Sequence, residues 1–320
     1  MPSFNTVVQA DLEDVNKTII EQLHSDVGLV ENIGHYIVDA GGKRLRPLLV
    51  LLIAKTLGYQ GKHHVDLAAI IEFIHTATLL HDDVVDLSSL RRGHATANAK
   101  WGNAPSVLVG DFLYSRAFQM MVAIGDMEIM SILSNTTNVI SEGEVQQLVN
   151  AQNPDVSEAN YMMVIHKKTA ALFEAACETA AVLANAPQEM RELAKRFGFH
   201  LGLAFQLIDD TLDYEGDAAT LGKNVGDDLA EGKPTLPLIY TMSRCGNDDR
   251  NLIRKAIKNG EREKLDQILT VVKTSGGLDY AKQKAREHSN FALEIAARFP
   301  SSDISRALAE LAVFSVERAH

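Results

Sequence analysis

The run VDLAAIIEFIHTATLLHDDVVD, Val65 to Asp86, constrains this chain more than any other stretch. Its apolar residues recur at three- and four-residue spacing over 22 residues, which is too long for a strand and fits one face of a helix. Yet it closes on three carboxylates, Asp82, Asp83 and Asp86, set among Leu79, Leu80, Val84 and Val85. The same D-D-x-x-D order returns in QLIDDTLDY, Gln206 to Tyr214, with Asp209, Asp210 and Asp213. A fold for this chain must bury two long apolar helices and accommodate two acidic clusters on them.

Helical spacing also fills roughly 104–124, 127–150, 157–185, 188–214 and 233–244. Turn signals fall between these runs at Gly41-Gly42, Gly58, Gly102-Asn103, Asn153-Pro154-Asp155 and Gly276-Gly277. Pro47 and Pro105 suit first-turn positions, where the missing N–H costs nothing. No alternating strand series and no linker appears, so the sequence predicts an all-α fold with a single domain over 1–320. A hydrophobic share of 46% suffices for a sizeable core, and a net charge of -11 argues against a nucleic-acid partner. Two distant cysteines, Cys177 and Cys245, suit a reducing compartment. The first residues lack a basic start with an apolar block, and the most apolar run, Pro47 to Ala54, is too short to span a bilayer. The expectation is a soluble, cytoplasmic protein without a transmembrane segment.

On a helix, Asp82 and Asp86 project from one face, and Asp209 and Asp213 repeat the arrangement. Clustered carboxylates repel, and a divalent cation resolves the conflict; all-oxygen ligands favour Mg²⁺, which combines one or two carboxylates with waters and phosphate oxygens. Neither cluster has the loop glycine of a calcium-binding loop, and i, i+4 clustering on two helices favours metal over a general acid–base pair. Metal held this way meets phosphate, and matching cations are present. GGKRLRP places Lys43, Arg44 and Arg46 beside a double glycine at a helix start, and Arg91 and Arg92 follow the first cluster. Lys167 and Lys168 lie in HKKTAALF; Lys223 and Lys233 lie in the Gly- and charge-rich segment Glu215 to Thr235, a candidate mobile lid.

In order along the chain, GGKRLRP, LLHDDVVD with RRG, KTAALF, QLIDDTLDY and GKNVGDDLAEGKPTLPLI resemble the motifs of the trans-isoprenyl diphosphate synthases. The resemblance covers about Gly34 to Ile239 and is greatest to the bacterial long-chain branch. It implies an all-α isoprenoid synthase bundle around a deep central cavity, a homodimer, and three Mg²⁺ ions. The implied activity is head-to-tail condensation of isopentenyl diphosphate with an allylic diphosphate such as farnesyl diphosphate. The implied product is octaprenyl diphosphate for a quinone side chain (ubiquinone or menaquinone), delivered to membrane enzymes. Carried over by residue, the metal set is Asp82, Asp83, Asp86, Asp209, Asp210 and Asp213. Lys43, Arg46, His75 and Arg92 would hold isopentenyl diphosphate. Arg91, Lys168, Thr169, Gln206, Lys223 and Lys233 would face the allylic diphosphate. In place of the polar residue common after the third Asp, this chain has Leu87, which is not a ligand position.

His75 lies seven residues before Asp82 and so on the same helix face, while His81 reads as structural support. Bulky residues four or five positions before the first Asp block elongation early in this family. Thr78 and Ala77 are small, which predicts a long product, with Met121 of FQMM as candidate tunnel floor. Two other readings stand beside this one. A class I terpene cyclase would need aromatic faces for its cations, and aromatics are only 6% here. A catalytically silent subunit of a heteromeric synthase would not need both complete acidic motifs.

Overall fold

Apolar spacing becomes helix almost throughout the computed structural model, which describes residues 3–39, 41–215 and 225–317. The elements are α1 (Ser3–Thr6), α2 (Gln9–Gln22), α3 (Gly28–Asp39), α4 (Leu45–Thr56), α5 (His63–Val85), β1 (Leu90–Arg91), β2 (His94–Ala95), α6 (Ala97–Trp101), α7 (Asn103–Ile124) and α8 (Met127–Asn150). They continue with α9 (Glu158–Ile165), α10 (Ala171–Leu183), α11 (Gln188–Glu215), α12 (Asp227–Ala230), α13 (Leu236–Arg244), α14 (Asn247–Asn259), α15 (Leu265–Thr274), α16 (Gly277–Ala296) and α17 (Asp303–Glu317). Between α9 and α10, His166–Ala170 form a π-helical turn.

The all-α expectation holds, with one small exception. β1 and β2 pair antiparallel, Leu90 opposite Ala95 and Arg91 opposite His94. The connecting Arg92 and Gly93 both take positive φ, 52° and 78°, as a two-residue hairpin turn with right-handed twist requires. Strands this short leave no alternation to read, and no local pattern marks them.

The chain forms two compact units, each drawn from three stretches of sequence. Unit 1 comprises Met1–Thr137, Leu172–Gly198 and Glu294–Leu311. Its centre is α4, where Leu48 through Ala54 are all fully buried, and α5, where Leu67 through Ile71, Phe73, Ile74, Ala77 and Leu80 are fully buried. A helix apolar on every side belongs inside a helical layer, and α5 packs against α2, α4 and above all α7. Each such Leu or Ile contributes about 1.5–3 kcal/mol of burial. Unit 2 comprises Asn138–Ala171, Phe199–Leu293 and Ala312–His320. Two apolar clusters hold it: one around Tyr214, Leu238, Ile253 and Ile268, the other around Tyr161, Leu203, Leu207 and Leu236.

Pro47–Ala54 is a core strip of α4, as its length requires. Among the described residues α7 is the one helix long and apolar enough to cross a bilayer by length and composition. Asn103 to Ile124 contains one acidic and one basic residue over 22 positions, and α7 packs along α5 as a core helix of unit 1 does.

Candidate active site

Unit 1 carries the first acidic cluster at the C-terminal end of α5. Asp82 lies in its last turn and Asp86 is the C-cap, so the two half-buried carboxylates share a face. Asp83 points elsewhere. It is 1% exposed and accepts three hydrogen bonds from Arg91, from Nε at 2.9 and 3.1 Å and from Nη2 at 2.7 Å. Burial raises the Asp83 carboxyl above its usual range, and Arg91 offsets part of that. Asn98 donates to the Asp83 carbonyl at 3.0 Å, which fixes the end of α5 against α6.

The loop before α4 gathers the cations. Gly41 and Gly42 take φ 79° and 156°, and Arg44, the residue before α4, takes φ 48°. A Cβ on Gly42 would stand 2.8 Å from the Arg92 guanidinium, so the glycine makes room for that side chain. Arg46 donates to His75 Nε2 at 3.1 Å and lies over the buried Phe173 ring, 4.4 Å from its centroid. His75 is therefore an acceptor at Nε2. Burial, then Arg46, Arg92, Arg91 and Arg44, hold it well below the ordinary histidine range and so uncharged at neutral pH. Arg44 turns inward instead, to the buried Glu72 and to the Val38 carbonyl at 3.2 Å. His81 is structural, as expected: Nε2 reaches the Val107 carbonyl at 3.2 Å, and a Cβ on Gly110 would collide with its ring at 2.3 Å.

Unit 2 carries the second cluster near the C-terminal end of α11. Asp209 is half-buried, whereas Asp210 and Asp213 are 6% and 0% exposed. Asp210 accepts from Tyr161 Oη at 2.6 Å and from Gln206 Nε2 at 2.7 Å, and Gln206 accepts from the Thr169 hydroxyl at 2.8 Å. Burial and the Asp228 carboxylate push Asp210 up to about 8, against the lowering effect of its two donors. Asp213 accepts the Asp228 backbone N–H at 3.1 Å, in the first turn of α12. Lys168 donates to Glu144 at 2.6 Å and Gln147 at 2.7 Å, and Lys233 pairs with Glu231 at 2.6 Å.

Thr169 and Lys168 lie in the π-helical turn, a feature that recurs at functional sites. Gly143 of α8 faces that turn: a Cβ there would stand 2.9 Å from the Lys168 backbone nitrogen and 2.8 Å from Lys167 Cβ. Nothing in HKKTAALF announces the π turn. A glycine in the middle of a helical run was the one available sign of a close approach.

The expected residues thus separate by unit. Arg46 and His75 meet in unit 1, with Arg92 against Gly42 beside Lys43 and Arg91 against Asp83. Thr169, Gln206 and Asp210 join in unit 2, while Lys168 and Lys233 sit on carboxylates of their own. Ala77 and Met121 are 0% and 1% exposed, and Thr78 donates to the His75 carbonyl at 2.8 Å. Lys223, and with it the middle of the candidate lid, lies outside the described residues. Among the described residues no group of three or more His, Cys, Asp or Glu converges as a ready-made metal site. Sequence reasoning missed Tyr161, Glu72 and Asp228. Tyr161 and Glu72 are contacts from distant parts of the chain that no local pattern marks; Asp228 lies in the quoted GKNVGDDLAEGKPTLPLI, but spacing does not show that it meets Asp213.

The polyprenyl synthetase family profile matches residues 27–274, so the chain belongs to that family. The octaprenyl diphosphate synthase of Haemophilus influenzae is 50% identical over 309 residues, 96% of this chain and 94% of that one. The geranyl-specific all-trans-nonaprenyl-diphosphate synthase of Rhodobacter capsulatus is 48% identical over 97% of this chain and 96% of its own. The polyprenyl synthase of Caulobacter crescentus, crystallised with calcium and isoprenyl diphosphate, superposes with a TM-score of 0.96 at 43% identity, covering 99% of this chain and 97% of that one. The fold is the all-α isoprenoid synthase fold, and the chain is a trans-polyprenyl diphosphate synthase, a prenyltransferase. The long-chain synthase reading is thus favoured over the cyclase and the silent subunit.

Proposed function

We propose that the protein adds isopentenyl diphosphate to farnesyl diphosphate in successive head-to-tail steps and releases octaprenyl diphosphate for a quinone side chain. The observation that carries this reading is the cationic set around His75. Arg46 is held by the His75 ring nitrogen and the Phe173 face, and burial, then Arg46, Arg92, Arg91 and Arg44, hold the imidazole well below the ordinary histidine range. Such a concentration of positive charge suits a diphosphate bound without a metal ion. A cyclase has no use for a second diphosphate site; a condensing enzyme does. Lys43, Arg46, His75 and Arg92 would hold isopentenyl diphosphate there.

Magnesium fits the remaining donors. Asp82 and Asp86 offer oxygen ligands on one face, and Asp209 is the half-buried carboxylate of its own cluster. Because the described residues hold no three-ligand cluster, waters and diphosphate oxygens would complete each sphere, as Mg²⁺ prefers. When bound, Mg²⁺ (three ions in this reading) stabilises the departing allylic diphosphate. Lys168 and Lys233 would exchange Glu144 and Glu231 for diphosphate oxygens, and Arg91 and Lys223 would join them. Thr169 and Gln206 would line the reacting end, and Ala77, Thr78 and Met121 the path of the growing chain.

We read the enzyme as one catalytic domain, a cytoplasmic homodimer whose product passes to membrane enzymes. Val145, Leu148 and Val149 support the pairing: they are 62%, 63% and 68% exposed at three- and four-residue spacing on α8. The test is incubation of the purified chain alone with farnesyl diphosphate, isopentenyl diphosphate and Mg²⁺. Linear eight-unit diphosphate supports the reading; cyclic hydrocarbon or no turnover refutes it.

A further inference from the structure

Arg44 stands between Lys43 and Arg46 with its backbone in the left-handed region, φ 48° and ψ 36°. A residue with a Cβ is disfavoured there, so its surroundings must hold it. The guanidinium supplies the hold. Nη1 donates to the Glu72 carboxylate on α5, and Nη2 donates to the Val38 carbonyl at 3.2 Å, in the last turn of α3. The Val38 carbonyl also accepts the Gly41 N–H at 3.4 Å, so the end of α3 and the glycine turn share one acceptor. The Arg44 carbonyl accepts the Leu48 N–H at 2.9 Å and so opens α4. One residue thus joins α3, α4 and α5.

Glu72 fixes where on α5 that junction falls. It lies three residues before His75, so the two project from one face of the helix. Arg44 meets Glu72 and Arg46 meets His75, which registers the start of α4 on α5 at two points one turn apart. The Arg44 and Glu72 side chains are 17% and 6% exposed, so the clamp lies mostly inside. Burial lowers Arg92, and the Glu72 carboxylate opposes that more than any other charge, so it stands near Arg92 as well.

We infer that Glu72 is a positioning residue for isopentenyl diphosphate: through Arg44 it fixes the loop that presents Lys43 and Arg46, while Arg44 itself does not bind the diphosphate. The inference rests on the condensation reading and adds an acid to a site otherwise made of cations and a histidine. The competing role has the opposite sign. Were Glu72 an anion that merely occupies a spare cation, its removal would release Arg44 toward the diphosphate and tighten binding.

Steady-state kinetics with farnesyl diphosphate and isopentenyl diphosphate separates the two. Glu72→Ala and Arg44→Ala should each raise KM for isopentenyl diphosphate about tenfold, with KM for farnesyl diphosphate within about twofold of wild type. The double variant should also show about tenfold rather than about a hundredfold, because both changes open one clamp. Loss of folded protein alone would lower the active fraction, and hence kcat, and leave KM unmoved. Calorimetric titration of isopentenyl diphosphate into enzyme holding Mg²⁺ and an uncleavable allylic diphosphate analogue reads the same weakening without turnover. If circular dichroism shows Glu72→Ala unfolded, Glu72→Gln keeps the volume and one acceptor oxygen and should weaken binding about threefold, through loss of the charge assistance. An unchanged or lower KM for isopentenyl diphosphate in the folded Glu72 variant would overturn the inference, as would an equal rise in KM for both substrates or a double variant whose losses multiply. A folded wild-type chain that neither turns over nor binds isopentenyl diphosphate overturns the condensation reading itself and the inference with it.

Discussion

Removing Arg91 should destabilise the protein more than removing Asp83, and removing both should cost less than removing Arg91 alone. The asymmetry follows from exposure. The Asp83 side chain is 1% exposed and that of Arg91 is 33% exposed. Arg91→Ala strands a carboxyl in the interior without the two N–H groups that make its three hydrogen bonds, which costs about 3–4 kcal/mol by the usual scale for a broken buried pair. Asp83→Ala strands a guanidinium that regains water over a third of its surface, so about 2 kcal/mol is expected. In the double variant neither group is stranded, and the loss should be about 2 kcal/mol rather than the sum of about 5–6 kcal/mol. Asp82→Ala gives the contrast. Asp82 is repelled by Asp86 at i+4 and by the negative end of the α5 dipole but attracted by Arg91, so its removal should change stability by less than about 0.5 kcal/mol. Urea unfolding followed by circular dichroism, at one protein concentration so that any self-association is held fixed, measures all four. Additive losses in the double variant would refute the reasoning, and so would a loss in Asp82→Ala as large as in Asp83→Ala.

Three further outcomes are expected. Gly42→Ala drives the Arg92 guanidinium off its present position, 2.8 Å from the new methyl, and strains the backbone at φ 156°; stability should fall by about 1–3 kcal/mol and KM for isopentenyl diphosphate should rise about tenfold in the folded variant, and an unchanged KM would exclude Arg92 from that site. His75 is held neutral in the folded state, so the unfolded chain binds the extra proton below about pH 6.5 and stability falls as pH drops; between pH 6.5 and 5, wild type should lose about 1 kcal/mol more than His75→Gln. Denaturation midpoints of the two proteins that run parallel over that window would contradict the neutral histidine. Ala77→Tyr places a ring at a position now 0% exposed; at a packing cost of about 1–3 kcal/mol it should shorten the product, and an unchanged chain-length distribution by chromatography would remove Ala77 from the tunnel.

Helices were legible where periodicity alone decides them. The runs predicted at 127–150 and 188–214 are α8 and α11 almost residue for residue, because long amphipathic spacing has no competing solution. The run at 157–185 was legible as helix but not as one broken by a π turn, since that turn answers to Gly143 on another helix. Site residues were legible as types and spacings, not as pairings. GGKRLRP marks three candidates of similar charge and flexibility, Lys43, Arg44 and Arg46, yet the fold sends Arg44 to Glu72 and Arg46 to His75. Which cation goes inward depends on the αL backbone at Arg44 and on a buried acid 28 residues later, neither of which spacing reveals.

The two acidic motifs place their carboxylates in unlike surroundings. On a helix the first and fifth positions share a face, but the second lies about 100° away and must face something else. At the end of α5 it faces Arg91, eight residues onward; in α11 it faces Tyr161, 49 residues back, and Gln206 one turn before it. The partners differ in charge, in distance along the chain and in element, so they do not derive from a shared local sequence. What they share is the position: a buried carboxyl directly after a half-buried one, Asp83 after Asp82 and Asp210 after Asp209. An Asp repeated at that position is then explained by what each helix end must be fastened to, a hairpin arginine in one case and a π-helical turn in the other. In the proposed reading Asp82, Asp86 and Asp209 would meet metal, while Asp83 and Asp210 hold Arg91, Tyr161 and Gln206 in place.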